Sequence, residues 1–227
     1  MRKDVIFTAL AAMMVLVLAS CTDNKELLAN MVGTYTDNDP EEKVTIQFYP
    51  STDGHTGRFI ESREYLVDGD DNDGIETNVH ATAYITGTYT LTDERHLSYK
   101  YDIDELSIFY DTEEMEAYAQ RNIDYNNAHN NCFKYQGHSL QEVAETLSNS
   151  MANNASKSWT EFYEGENKDF KTLSYGDVQC DGKTFTFNAG SSRVTYTRLA
   201  EDMFKADFFD EDKADAEEKP AVEETAE

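Results

Sequence analysis

The sequence predicts a mainly β protein: an up-and-down antiparallel barrel of about eight strands, with a helical insertion and an acidic, disordered tail. Three observations predict it. Apolar residues recur at every second position in segment after segment, the period of a strand with one buried face. Short turns join most of these segments, so nothing calls for parallel crossovers. The period changes to helical over residues 112–164 and returns to two for the last strands. Closing such a sheet on itself removes its edges.

Residues 23–31 read as a short helix, with Asp23 as its cap and Glu26 three residues on. Val32-Gly33-Thr34-Tyr35-Thr36 opens the first strand, and Asp37-Asn38-Asp39-Pro40 turns. Val44, Ile46 and Phe48 then alternate with Thr45 and Gln47. Residues 58–67 make another strand, mixed on both faces. The clearest segment is 78–92, where Val79, Ala81, Ala83, Ile85, Gly87, Tyr89 and Leu91 share a face opposite His80 and a run of threonines. It is longer than most strands, so a bend is expected, at Gly87. Ala81 and Ala83 would leave space inside a curved sheet. After Asp93-Glu94-Arg95, Leu97, Tyr99, Tyr101 and Ile103 form the partner of a hairpin over 96–104, and a brief strand follows at 106–110.

Thr112 can cap a helix carrying Met115, Tyr118 and Ala119, and the amide-rich stretch Asn126 to Asn131 reads as a loop. Ser139-Leu140-Gln141-Glu142 is a capping box leading into Leu140, Val143, Ala144, Leu147 and Met151, with Trp159 and Phe162 continuing the stripe. Phe170 to Cys180 returns to strand, with a bulge expected at Gly176, and Asp181-Gly182 signals a hairpin. Phe185 and Phe187 point one way, and Val194, Tyr196 and Arg198 share the last face. The barrel is thus expected over 32–206. Residues 207–227 are acidic and poor in large apolar side chains, a composition that favours disorder.

The N-terminus carries the most specific motif. Arg2 and Lys3 precede an apolar run from Val5 to Leu18, short of the ~20 residues that span a bilayer. It ends in Leu18-Ala19-Ser20-Cys21, which resembles the lipobox of bacterial lipoproteins. The resemblance implies that residues 1–20 are a signal peptide and that the mature chain starts at Cys21 with a diacylglyceryl thioether and an acylated amino group. Residues 21–31 would then be a lipidated N-terminus and short helix. At ~0.8 kcal/mol per buried methylene, two or three chains hold a protein on a membrane. The expected location is the cell envelope, in particular the outer membrane. Asp23 and the loosely acidic stretch after Cys21 leave both its periplasmic face and the cell surface open.

Loss of Arg2, Lys3 and Asp4 with the leader moves the formal charge from −26 to −27. That field excludes nucleic acid as a partner and leaves membrane attachment to the lipid. Cys132 and Cys180 can pair in an oxidising compartment or stay as two buried thiols.

Gly33-Thr34-Tyr35 on the first strand, Gly87-Thr88-Tyr89, and the terminal Tyr196-Thr197-Arg198-Leu199 resemble the lipocalin-like lipoproteins of Bacteroidota. Lipocalins carry Gly-x-Trp on the first strand and a late Arg packed over the Trp. The resemblance implies that Gly33, Tyr35 and Arg198 close one end of the barrel, with Tyr35 in place of Trp. It covers about 31–104 and 170–199; the helical section lies outside the lipocalin pattern. From the residues alone, an inward Arg198 would need a partner, and an aromatic face supplies one.

Nothing points to catalysis. Asp68 to Gly74 is acidic, but its glycine and its twelfth position miss the calcium-loop pattern, so it reads as a solvated tip. None of the five histidines stands at metal-ligand spacing; His80 and His96 are expected near each other on a surface. A nucleophile elbow, phosphate loop, dinucleotide fingerprint and Cys-x-x-Cys are absent from the sequence. No enzyme activity, metal or cofactor is expected. Fourteen Tyr and twelve Phe beside one Trp direct attention to the barrel interior. Phe48, Ala81, Ala83, Tyr89, Tyr99, Tyr101, Phe185 and Phe187 are the candidates to line it. An eight-strand barrel can be filled by such side chains or hold one small ligand. The leading expectation is a noncatalytic barrel binding a small amphipathic or hydrophobic molecule. The alternative is a filled barrel acting as an interaction or inhibitor module for an envelope protein.

Overall fold

The alternation closes as expected. The computed structural model describes residues 24–37, 39–129, 131–163, 173–206, 208 and 209. The signal peptide expected at 1–20, Cys21, the expected Asp23 cap, the start of the expected Phe170–Cys180 strand and the tail from 210 lie outside them. Eight antiparallel strands form a closed barrel in chain order. They are β1 (Gly33–Thr36), β2 (Glu42–Phe48), β3 (Thr56–Val67), β4 (Val79–Leu91), β5 (Leu97–Tyr110), β6 (Leu173–Cys180), β7 (Thr184–Ala189) and β8 (Ser192–Arg198). β8 returns to β1 through Tyr35↔Arg198 and Thr36↔Thr197.

Three details differ from the sequence pattern. β5 is one strand, not two: a register shift opposite Tyr84 and Thr86 absorbs the break in its alternation. The irregularity falls there and not at Gly87, which pairs in register with Tyr101. Gly87 is needed for close approach instead. A Cβ there would meet the Lys100 carbonyl oxygen at 2.5 Å and the Phe59 ring at 2.6 Å. His80 and His96 are also far apart, because the hairpin register places Leu91 opposite Leu97 and Ala81 opposite Tyr110. His80 binds Glu114 at one end, and His96 sits in the turn at the other.

The two ends of the barrel are built differently. Helix α1 (residues 24–31) crosses the first end, burying Leu27, Leu28 and Met31 in the core. Its Asn24 amide donates to Thr92 O (3.4 Å) and Asp93 Oδ1 (3.3 Å), and Asn30 donates to Cys180 O (3.2 Å). The second end carries α2 (Thr112–Ala128), a 3-10 turn (Cys132–Tyr135) and α3 (Leu140–Tyr163). Asp111, not Thr112, caps α2, accepting from Glu114 N at 3.0 Å. Ser139 and Glu142 form the capping box of α3.

A second apolar cluster, including Ile75, Val79, Met115, Tyr118 and Val143, ties these helices to the β3–β4 loop. The acidic tip of that loop is therefore docked as well as solvated. Tyr118 donates to Asp71 Oδ2 at 2.7 Å, and Asp71 Oδ1 takes the amides of Asp73 and Ile75. Among the described residues no cluster could hold a metal ion.

After β8 the chain straps back over the outer wall. The Gln47 side chain brackets the Phe204 main chain with bonds of 2.7 and 2.9 Å, and the Arg58 guanidinium lies 3.6 Å over the Phe209 ring. Phe208 and Phe209 are half-buried, so packing continues past the expected boundary at 206.

Candidate ligand site at the flared end of the barrel

The interior divides in two. Toward α1 it is an aromatic plug. The Phe48 ring lies 5.1 Å from Phe185, 5.3 Å from Tyr89, 6.1 Å from Tyr99 and 6.3 Å from Tyr35. Phe187 stands 5.4 Å from Phe185, and Tyr99 5.0 Å from Phe59. The Tyr89 hydroxyl donates to Tyr49 O at 2.8 Å. These sequence-picked aromatics face inward, and here they pack on one another. Ala81 and Ala83 share their face farther along, across from Tyr65 and Arg63.

Gly33, Tyr35 and Arg198 meet at the rim of this end. Gly33 holds φ +126°, and a Cβ on it would stand 2.6 Å from the Arg198 guanidinium, which reaches 5.8 Å over the Tyr35 ring. The Tyr35 hydroxyl donates to Asn30 O and lies 3.3 Å from Cys180 Sγ. Burial, with help from Cys180, holds its phenol well above the usual range. Cys180 is a free thiol; the Cys132 side chain lies outside the described residues.

The other half is polar. β3 enters the core with Phe59, and the same phase carries Glu61 and Arg63 inward, beside Ile85 and Ala83. Glu61 is only 3% exposed. Its carboxylate accepts from Arg63 Nε at 2.6 Å and from the Tyr101 hydroxyl at 2.8 Å. Arg63 also reaches Glu42 at 3.3 Å and lies 5.2 Å over the Trp159 ring. Burial opposes its charge, but Glu61 more than offsets this and holds the guanidinium firmly protonated. Burial, then Glu61, keeps the Tyr101 phenol neutral far above its ordinary range. The Tyr163 ring of α3 packs 5.1 Å from Tyr101. Among the described residues the Tyr99 hydroxyl is buried without a hydrogen-bond partner.

Among the described residues one seam of the wall is incomplete in this half. There β1 pairs with β8 at Tyr35↔Arg198 and Thr36↔Thr197, so β8 from Ser192 to Tyr196 has no β1 partner among the described residues. The β6–β8 wall is also the less buried one. Its inward residues Leu173, Tyr175, Val194 and Tyr196 are half-buried, whereas Ile46 and Ile85 on the facing wall are buried. Burial, then Glu61, pushes the Tyr175 phenol up to about 12. The flare thus presents one guanidinium between a buried carboxylate, Glu61, and a more exposed one, Glu42, with several neutral phenols. Such a set can fix a polar group by hydrogen bonds while rings hold an apolar body. Two hollows, of about 550 and about 500 Å³, lie outside the wall, beside α1 and under the C-terminal strap.

Sequence reading missed Glu61 and Arg63. Their signal was present: they interrupt an apolar phase that contains Phe59 and Tyr65, so the strand reads as mixed on both faces.

No family model matches the chain, and no curated protein or solved structure matches it. The fold is a closed eight-strand up-and-down barrel with helices and an aromatic-rich interior.

Proposed function

We propose that this protein is a lipid-anchored, noncatalytic barrel of the bacterial envelope that binds a small amphipathic molecule at its flared end. The observation that carries the reading is the Glu61–Arg63 pair inside the barrel. An interior ion pair is a poor way to stabilise a fold, since apolar replacements of similar volume often do as well or better. Its position beside the Tyr99 hydroxyl, unpartnered among the described residues, and a half-buried wall suits recognition of a guest. Arg63 and Tyr99 offer hydrogen bonds to the polar group; Tyr163, Tyr175 and Tyr196 offer rings to the apolar part. The anchor rests on Leu18-Ala19-Ser20-Cys21.

Native mass spectrometry of the detergent-extracted protein tests this. The wild-type spectrum is expected to show a guest mass and the lipid mass at Cys21. The double variant Glu61→Leu, Arg63→Met is expected to stay folded and lose the guest. A wild-type spectrum free of guest across growth conditions overturns the reading.

One observation favours a second reading, a docking module for an envelope protein: Phe133 and Phe162 on the helical insertion are 77% and 63% exposed. A protein partner in the same spectrum, lost on Phe133→Ser and Phe162→Ser, would support it.

A further inference from the structure

Only Thr22 and Asp23 separate Cys21 from the first described residue of α1. That helix is not a loose arm. Asn24 is bound to the β4–β5 turn, and Leu27, Leu28 and Met31 are buried in the sealed end. Three Cα steps from Cys21 to Asn24 span at most about 11 Å. The flare is much farther. β4 runs 13 residues from Val79 at that end to Leu91 beside α1. At ~3.3 Å per residue this is about 40 Å along the strand, or roughly 30 Å along the axis of a barrel with ordinary tilt.

From this geometry we propose that the lipid on Cys21 seats the sealed end against a phospholipid bilayer surface and turns the flare toward water. The proposal rests on the lipoprotein reading of Cys21. Charge favours the same pose. A chain of formal charge −26, or −27 without its leader, is repelled by anionic headgroups, and standing on one end brings the least wall near them. The mouth with Glu61, Arg63 and the C-terminal turn of α3 then opens away from the bilayer. A guest enters from the aqueous side, not from the acyl layer.

Hydrogen–deuterium exchange of the full lipidated chain, in vesicles of phosphatidylethanolamine and phosphatidylglycerol against detergent micelles, tests the pose. Exchange in the turns at 50–55, 92–96 and 181–183 is expected to slow several-fold on vesicles, with no change at 131–139. A Gly/Ser linker of about 20 residues inserted after Cys21, with a mean span of roughly 25 Å, is expected to erase that protection while the protein stays bound. Protection at 131–139, or along the outer wall at 100–105, overturns the pose alone. So does protection that survives the linker. A chain that fails to sediment with the vesicles overturns the anchor itself, and the pose with it.

Discussion

The sealed and flared ends of this barrel use the same inward face for opposite purposes. At the sealed end, α1 covers the opening and rings fill the space. At the flare, β8 extends past its pairing with β1 among the described residues, and the same alternating phase delivers a carboxylate, a guanidinium and phenols. A period of two specifies only which side chains point inward. What they do there is set by strand pairing at each end and by what covers it.

The largest expected effect tests whether the sealed end holds the fold. Phe48 is 1% exposed and touches four other rings. Phe48→Ala should cost about 3–5 kcal/mol, the range for truncating a buried aromatic. Tyr196→Ala, on the half-buried wall, should cost about 1–2 kcal/mol, in proportion to the smaller area it removes from water. Urea unfolding of both variants measures the difference. Equal losses would mean that the flare is as integral to the core as the plug.

The next prediction separates charge from packing at the flare. The Arg63 side chain is 22% exposed and that of Glu61 4%. Arg63→Ala leaves the carboxylate without its counter-ion and should cost about 3 kcal/mol, the low end for breaking a buried pair. Glu61→Leu with Arg63→Met removes both charges and should sit within about 1 kcal/mol of wild type. A double variant as unstable as the single one would show that the pair serves the fold, and the proposed binding role would lose its support.

That pair also marks the limit of what the sequence conveys. The eight strands are legible because alternation and turn chemistry are local. Val79 to Leu91 needs no knowledge of its partners to read as half-buried. The inward aromatics are legible for the same reason. Glu61 and Arg63 are not, because a binary pattern records an inward charge as an error; only the register with β2 and β4 gives each its surroundings. The packing of Phe48, Tyr89, Tyr99 and Phe185 into one plug depends on volumes that no pattern contains. The C-terminal strap escapes for a third reason. Its main chain is held by Gln47, a residue that on sequence grounds belongs to the wet face of β2.

A smaller effect is expected at the rim of the sealed end. Gly33 has a backbone conformation unfavourable to other residues, and a Cβ there would press on the Arg198 guanidinium. Gly33→Ala should cost about 1–3 kcal/mol through strain. Pairing it with Arg198→Ala, which removes the obstructing guanidinium, should recover part of the loss in a double-mutant cycle. Strict additivity would mean that the backbone angle alone requires glycine and that closure by Arg198 is incidental.

The smallest effect should have the opposite sign. The Tyr99 hydroxyl is buried between the plug and the polar half with no partner among the described residues, and burial keeps its phenol neutral. A buried donor without an acceptor costs stability, so Tyr99→Phe should stabilise the guest-free barrel by about 1 kcal/mol. If that hydroxyl is held in reserve for a guest, the same substitution should weaken binding about tenfold, the equivalent of roughly 1.4 kcal/mol. Thermal unfolding of the guest-free protein and guest retention in native mass spectra read the two effects separately. A gain in stability with unchanged retention would place Tyr99 with the plug and leave recognition to Arg63 and the outer rings. A loss of stability would mean that the hydroxyl already has an acceptor in the folded protein.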